Sequence, residues 1–227
     1  VRLLSNQSAT PTSRLIRLAL DGASFQYQAG QAASIAAGDR EAWTPYSIAS
    51  APAETVRHGW LEFLVKVDGS NRFGAIVAGL QPGTPIRVKG PVGSFTLADS
   101  ASATPLLFIA GGTGIAPLRS MIREVVEIHH AGTVALVYSA RTPDEFAYLQ
   151  EFRGLADDGR IALTLTLTGT AEEWKHARGR TGTAHLSDLV TPDTMAFICG
   201  PPAMIRDVPV ALTSIGLPRA QIRTEDW

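Results

Sequence analysis

The chain carries a single cysteine, Cys199, among its 227 residues. One thiol excludes an internal disulfide, and it excludes an iron–sulfur or Cys-rich zinc site made by this sequence alone, because each needs several thiolates. Charge of one sign is equally scarce, since 20 Lys and Arg face 21 Asp and Glu for a formal net charge of −1. Without a basic excess there is no electrostatic footprint for a phosphate backbone, so no nucleic-acid partner is expected. No apolar run reaches the roughly 18 residues of a membrane span, and the opening Val1-Arg2-Leu3-Leu4-Ser5-Asn6-Gln7 lacks an apolar signal-peptide core. A soluble, cytoplasmic protein is the expectation. The histidines, His58, His129, His130, His176 and His185, stand at no metal-ligand spacing, and no Gly-x-Ser-x-Gly elbow occurs. No metal site is expected, and serine catalysis is disfavoured.

What the chain does have is 45% hydrophobic residues, enough to bury two cores, and a length that fits two domains of about 100–125 residues. The first hundred residues read as short strands broken by turns. Leu61, Phe63, Val65 and Val67 alternate onto one face, and Ile86-Arg87-Val88-Lys89 runs into Gly90-Pro91. The pattern predicts an antiparallel β-barrel over residues 1–100. One helix interrupts it at 71–80, with Phe73, Ile76, Val77 and Leu80 at helical spacing after the capping stretch Asp68-Gly69-Ser70.

Beyond the small, polar stretch 98–104 the pattern changes. Pro105-Leu106-Leu107-Phe108-Ile109-Ala110 is continuously apolar, as a strand buried on both faces requires, and Leu118, Met121, Ile122, Val125 and Val126 mark a helix directly after it. Further strands are predicted at 134–138, 161–167 and 195–199, with helices at 144–155 and 203–214. Pro209 is expected to kink or shorten the last of these. Residues 101–227 therefore read as an α/β domain with a doubly wound parallel sheet.

Gly112-Thr113-Gly114-Ile115-Ala116-Pro117 lies between the buried strand and its helix. Glycines there let backbone approach an anion, the helix N-terminus supplies N–H groups and positive potential, and Pro117 is tolerated because its missing N–H is not needed in a first turn. On these residues alone the loop is either a phosphate cradle or a tight turn, since Pro stands where the usual dinucleotide fingerprint has its third Gly. Cys199, at the carboxyl end of a predicted strand, falls where open α/β sheets bind ligands.

Read together, Tyr27-Gln28-Ala29-Gly30-Gln31, Thr44-Pro45-Tyr46-Ser47-Ile48-Ala49-Ser50, Leu80-Gln81-Pro82-Gly83 with Gly90-Pro91-Val92-Gly93-Ser94-Phe95, Ala110-Gly111-Gly112-Thr113-Gly114-Ile115-Ala116-Pro117, Cys199-Gly200-Pro201-Pro202 and Glu225-Asp226-Trp227 occur in an order that resembles the ferredoxin–NADP(+) reductase family. The resemblance spans nearly the whole chain. It implies an NAD(P)H-dependent flavoenzyme, with FAD in the first domain, FMN as second choice, and NADH or NADPH in the second. It implies Tyr46 stacked on the flavin and Ser47 donating near it, with Thr44, Pro45, Val65, Arg72, Phe73 and Gly74 completing the flavin-binding set. For the nicotinamide nucleotide it implies Gly112, Thr113, Gly114, Pro117, Arg141, Thr168, Gly200 and Pro201. Ser47, Cys199, Glu225 and Trp227 are the implied hydride-transfer group, with Trp227 covering the flavin face as a gate. With one cysteine here, any iron–sulfur acceptor, a ferredoxin or an oxygenase component, has to be a separate protein. Direct reduction of free flavin, or a non-catalytic flavin- or nucleotide-sensing subunit, are the alternatives.

Two departures from the family pattern stand out. Thr44 occupies the place of an Arg that pairs with a flavin phosphate, a charge-assisted contact of about 1.5–3 kcal/mol, or roughly 10- to 100-fold in affinity. Arg72 is the nearest substitute. At Thr168-Gly169 the Arg that grips the 2′-phosphate in NADPH-using members is missing, which leans the reading toward NADH, although Arg141, Arg178 and Arg180 lie in loops that can reach the same place.

Overall fold

A computed structural model of the chain describes residues 1–37, 42–69, 72–97 and 103–225. It divides into two compact units, Val1–Ala98 with Arg119–Glu127, and Asp99–Leu118 with Ile128–Trp227.

The first unit runs β1 (Arg2–Thr10), β2 (Ser13–Ala19), β3 (Ala32–Ala37), β4 (Thr44–Ser47), α1 (Pro52–His58), β5 (Trp60–Lys66), α2 (Arg72–Gly79) and β6 (Ile86–Val92). Its strands form two antiparallel sheets, ordered β1-β2-β5 and β4-β3-β6. Isolated bridges join Arg2 to Pro85 and Ile48 to Phe63. Leu3, Ile16, Leu18, Ile35, Leu61, Phe63 and Ile86 share one buried core, the inward positions that period-two alternation assigns to each strand.

In β5 the alternation fails. Leu61 to Val65 are all buried, and Glu62 is only 1% exposed. The face expected to be solvated is instead covered by charge: Arg17 Nε donates to Glu62 Oε2 at 2.7 Å, and Arg119 lies 3.7 Å from Oε1. Nothing in the apolar periodicity announces α1, whose signals are local. Pro52 stands in its first turn, Glu54 Oε2 accepts from the Ala51 N–H at 2.9 Å, and Gly59 ends it at φ +72°. The strand expected to stop at Gly90-Pro91 continues through both to Val92.

The second unit runs β7 (Leu106–Gly111), a 3-10 turn at Gly112–Gly114, α3 (Ile115–Glu127), β8 (Val134–Ala140), α4 (Leu149–Asp157), β9 (Ala162–Leu167), β10 (Ala177–Arg178), α5 (Thr183–Leu186), β11 (Met195–Cys199), α6 (Pro202–Ser214) and β12 (Ile222–Glu225). From Arg119 onward α3 groups with the first unit. The sheet is parallel throughout, in the order β10-β9-β8-β7-β11-β12. That order reverses at β7, as a doubly wound sheet requires. Leu107, Ile109, Val137, Ala196 and Ile198 pack one face against Val208 and Leu212 of α6.

Two helices differ from expectation. The segment 144–155 is not one helix, because Pro143–Glu145 forms a 3-10 turn, Tyr148 takes φ +59°, and α4 begins only at Leu149. Phe146 and Ala147 have better partners elsewhere. Phe146 stacks on Trp174 at 5.6 Å and meets Tyr138 edge-on at 4.9 Å, while the Ala147 N–H donates to the Tyr138 hydroxyl. Pro209 does not shorten α6, which continues to Ser214. Burial of Val208 and Leu212 on either side of it overrides the local propensity.

Candidate functional site

Strand β4 presents the residues expected at the flavin. It pairs with β3 so that Ser47 lies opposite Ala32, Tyr46 opposite Ala33, Pro45 opposite Ser34 and Thr44 opposite Ile35. Along it Ser47 is buried, Tyr46 and Thr44 are half-buried, and Pro45 is exposed. The Tyr46 ring meets Phe73 of α2 at 5.3 Å and 43°. Phe73 and Gly74 are buried and Arg72 is exposed at the head of α2, whereas Val65 sits wholly inside the core.

The backbone leaving Ser47 is held at every step. Ile48 N donates to Gln31 O at 2.9 Å and Ala49 N to Glu62 O at 2.8 Å. Ala49 O accepts from Arg119 Nη1 at 2.8 Å, and Ser50 O accepts from Ser120 Oγ at 2.7 Å and from the Tyr27 hydroxyl at 2.8 Å. Ser50 Oγ in turn accepts from the Glu62 N–H and bonds Thr55 Oγ1. Arg119 also makes a two-pronged contact with Glu54, at 3.0 and 3.2 Å, and Arg123 approaches the same carboxylate at 3.2 Å. Burial pushes the Glu54 carboxyl up, but the Arg119 guanidinium, the Ala51 N–H and Arg123 outweigh it and hold the group below its ordinary value. The Tyr27 phenol is pushed up to about 12, chiefly by burial. Ser50, Glu54, Arg119 and Tyr27 were not among the expected functional residues. Only Tyr27 and Ser50 stand within the motif segments, and Arg119 meets Glu54 from 65 positions away.

In the second unit three glycines draw the Gly112–Gly114 turn onto the end of β11. A Cβ on Gly114 would stand 2.3 Å from Cys199 O, one on Gly111 2.6 Å from Pro201 Cδ, and one on Gly200 3.0 Å from Gly111 N. No side chain larger than hydrogen allows that approach. Over Gly112, at φ +55°, nothing lies within 4 Å of the corresponding position, so the loop is packed at Gly114 and open at Gly112. Ile115 N donates back to Gly112 O, so it is the N–H groups of the turn itself that a helix leaves without an internal partner, and Pro117, in the first turn of α3, removes none that is needed. An open backbone surface at a helix N-terminus after a buried strand is suited to an anion. Cys199 ends β11, 1% exposed, and stands in register with Glu225 of β12. Trp227 lies outside the described residues.

Arg141 and Thr168 are also brought together. Thr168 N donates to Ala140 O at 2.9 Å and Gly169 N to Arg141 O at 3.1 Å, at the carboxyl ends of β8 and β9. Arg141 and Arg180 are exposed. Arg178 is committed elsewhere, its guanidinium donating to Ala171 O and Trp174 O.

Two family models match the sequence: an oxidoreductase FAD-binding domain over residues 1–97 and an oxidoreductase NAD-binding domain over residues 108–209. The chain is 32% identical over 219 residues to ferredoxin–NADP reductase B of Sorangium cellulosum, covering 91% of this chain and 88% of that protein. It belongs to the ferredoxin–NADP(+) reductase family. This family member is 30% identical to the reductase component of propane 2-monooxygenase from Rhodococcus jostii, over 91% of this chain but only 57% of that protein's length. Its fold matches the flavohem-like FAD/NAD-binding domain of nitric oxide dioxygenase from Vibrio cholerae, with TM-score 0.86 at 20% identity, covering 100% and 98% of the two chains. It is a flavin-dependent NAD(P)H oxidoreductase with FAD as cofactor. The residues present fit both groups: a half-buried Tyr46 beside a helix N-terminus for the flavin, and the open Gly112 backbone for the nicotinamide nucleotide. Among the described residues no cluster of metal ligands occurs, and no helix is long and apolar enough to cross a membrane.

Proposed function

We propose that this reductase takes electrons from reduced nicotinamide and hands them to a separate protein acceptor, a ferredoxin or an oxygenase component. The observation that carries the reading is the closure of the Gly112–Gly114 turn onto Cys199 by Gly111, Gly114 and Gly200, which leaves backbone open for a pyrophosphate beside the strand end that holds Cys199 and Glu225. Bound flavin supplies the chemistry, accepting two electrons from the nicotinamide and releasing them one or two at a time. The protein's share is binding and orientation. Tyr46 would cover the ring, Ser47 would donate a hydrogen bond to it, and Thr44 with Arg72 and the head of α2 would take the flavin phosphates. Gly112, Thr113 and Gly114 hold the nicotinamide nucleotide, with Arg141 and Thr168 toward its ribose end. Cys199 and Glu225 would line the place where the nicotinamide enters.

The two antiparallel sheets are proposed to form one six-stranded barrel over residues 1–100, ahead of a nucleotide domain at 101–227. Bridges at both sheet edges, Arg2 to Pro85 and Ile48 to Phe63, support closure. NADH is favoured over NADPH because the Arg178 guanidinium is spent on Ala171 and Trp174 carbonyls. The acceptor assignment rests on the relative that is a monooxygenase reductase component.

The test is an absorption spectrum of the purified protein after gel filtration with FAD. Flavin bands are expected to co-elute and to bleach on anaerobic addition of NADH more readily than of NADPH, with colour restored by a ferredoxin. No retained flavin at micromolar concentration ends the enzyme reading, and reoxidation by free flavin but not by any ferredoxin replaces the protein acceptor.

A further inference from the structure

The turn is packed against the Cys199 backbone at Gly114, whereas nothing lies within 4 Å of where a Cβ on Gly112 would stand. Among the described residues the side chain bonded to the Gly112 carbonyl is that of Tyr138. Tyr138, the fifth residue of β8, is 0% exposed, and its hydroxyl donates to Gly112 O at 3.1 Å while accepting from Ala147 N at 3.2 Å. Its ring is fixed edge-on by Phe146 at 4.9 Å and by Phe152 at 6.4 Å, so the hydroxyl has little freedom to wander.

A peptide unit is planar, and in the trans form its C=O and the following N–H point in opposite directions. Holding the Gly112 carbonyl therefore aims the Thr113 N–H away from Tyr138. Ile115 N donates to the same carbonyl, which tightens the turn along the helix axis but does not tie it to a neighbouring strand. Tyr138 provides that tie. Through Ala147 it also joins the turn to the end of the loop that starts at Arg141, so one hydroxyl secures two loops at the carboxyl ends of adjacent parallel strands.

We propose that Tyr138 is a positioning residue for the nicotinamide nucleotide, preorganising the Gly112–Gly114 backbone for the pyrophosphate. The inference rests on the reading of that turn as the pyrophosphate cradle. Only a neutral phenol can donate to the carbonyl, and burial pushes the Tyr138 phenol above its ordinary value, so the tie persists across physiological pH.

The experiment compares the FAD-loaded wild type with Tyr138→Phe, which keeps the ring and its aromatic contacts. Calorimetric titration uses two probes: ADP-ribose, which carries a pyrophosphate, and AMP, which does not. Loss of one hydrogen bond is expected to weaken ADP-ribose about 3- to 10-fold, with AMP unchanged. The NADH KM should rise by a similar factor while kcat stays within about twofold, the pattern of lost uniform binding. Equal weakening of both probes means a general structural role and overturns the proposal, as does unaltered ADP-ribose binding. A wild type that binds neither ADP-ribose nor NADH overturns the cradle reading itself, and the inference with it. Should Tyr138→Phe not fold, ¹³Cζ-tyrosine spectra of the wild type decide. The Tyr138 resonance, assigned by substituting the other three tyrosines, is expected to move with ADP-ribose and not with AMP, and a resonance indifferent to both refutes the positioning role.

Discussion

Replacing Arg119 by Met removes the guanidinium at the centre of a buried charge network while keeping most of the side-chain volume. Arg119 and Glu54 side chains are 8% and 10% exposed, and Glu62 is 1% exposed. Breaking a buried pair by deleting one partner costs about 3–5 kcal/mol, because the remaining charge keeps its desolvation penalty. Arg123 still reaches Glu54 at 3.2 Å and Arg17 still holds Glu62 at 2.7 Å. The lower end, about 3 kcal/mol, is therefore expected at neutral pH. The pH dependence gives a sharper signature. In the wild type the folded-state Glu54 value is depressed, so it contributes stability above the unfolded carboxylate value of about 4.3, and that contribution fades as pH falls through the folded value. In Arg119→Met burial, already the largest single influence on Glu54, is opposed only by the Ala51 N–H and Arg123, so the sign is expected to reverse and acidification to relieve the variant. The stability gap should be widest above about pH 6 and shrink toward about pH 4. Urea unfolding followed by tryptophan fluorescence measures it, and Glu54→Gln in the Arg119→Met background should restore about 1–3 kcal/mol. A gap below about 1 kcal/mol that stays constant with pH would mean that the network is effectively solvated and that the clamp on Ala49 is not electrostatic.

Two further outcomes follow from the same geometry. Tyr27, raised to about 12 in the folded state, contributes stability that is intact below about pH 10 and lost as pH rises from about 10 to 12, roughly 2–3 kcal/mol. Tyr27→Phe should abolish that alkaline slope while costing about 1–3 kcal/mol at neutral pH through the Ser50 and Thr55 contacts, and an unchanged slope in urea titrations at high pH would assign it to another group. Gly114→Ala places a Cβ 2.3 Å from Cys199 O, which should weaken NADH binding at least about 10-fold with FAD retained; near-normal NADH affinity in a stopped-flow reduction assay would show that the closure onto β11 is not needed for the nucleotide.

Much of the architecture was legible because it depends on local periodicity. The continuously apolar strand at 105–110, the glycine turn behind it and the strand at 195–199 appear where the sequence pattern placed them, and Cys199 and Glu225, which the family resemblance names together, stand in register. Where periodicity failed, a partner distant in sequence had taken over. Glu62 is buried in β5 because Arg17 and Arg119 reach it, and the helix expected from residue 144 waits until Leu149 because Phe146 and Ala147 are claimed by Trp174 and Tyr138.

The same distinction separates the site residues that sequence could name from those it could not. Glycines and the Tyr46-Ser47 pair are visible because a family motif constrains residue type at fixed spacing within one segment. Arg119 and Tyr138 act through the backbone carbonyls of Ala49 and Gly112, and Ser50 Oγ accepts from the Glu62 N–H; a main-chain group leaves no trace in the residue that carries it. A buried Arg in α3 reads as an interruption of the apolar face, and a Tyr in an all-buried strand reads as core. What identifies each as a support of the site is the atom at the far end of its side chain. The residues that touch ligands can thus be proposed from a motif, whereas those that aim them follow only from knowing which main-chain group each polar tip meets.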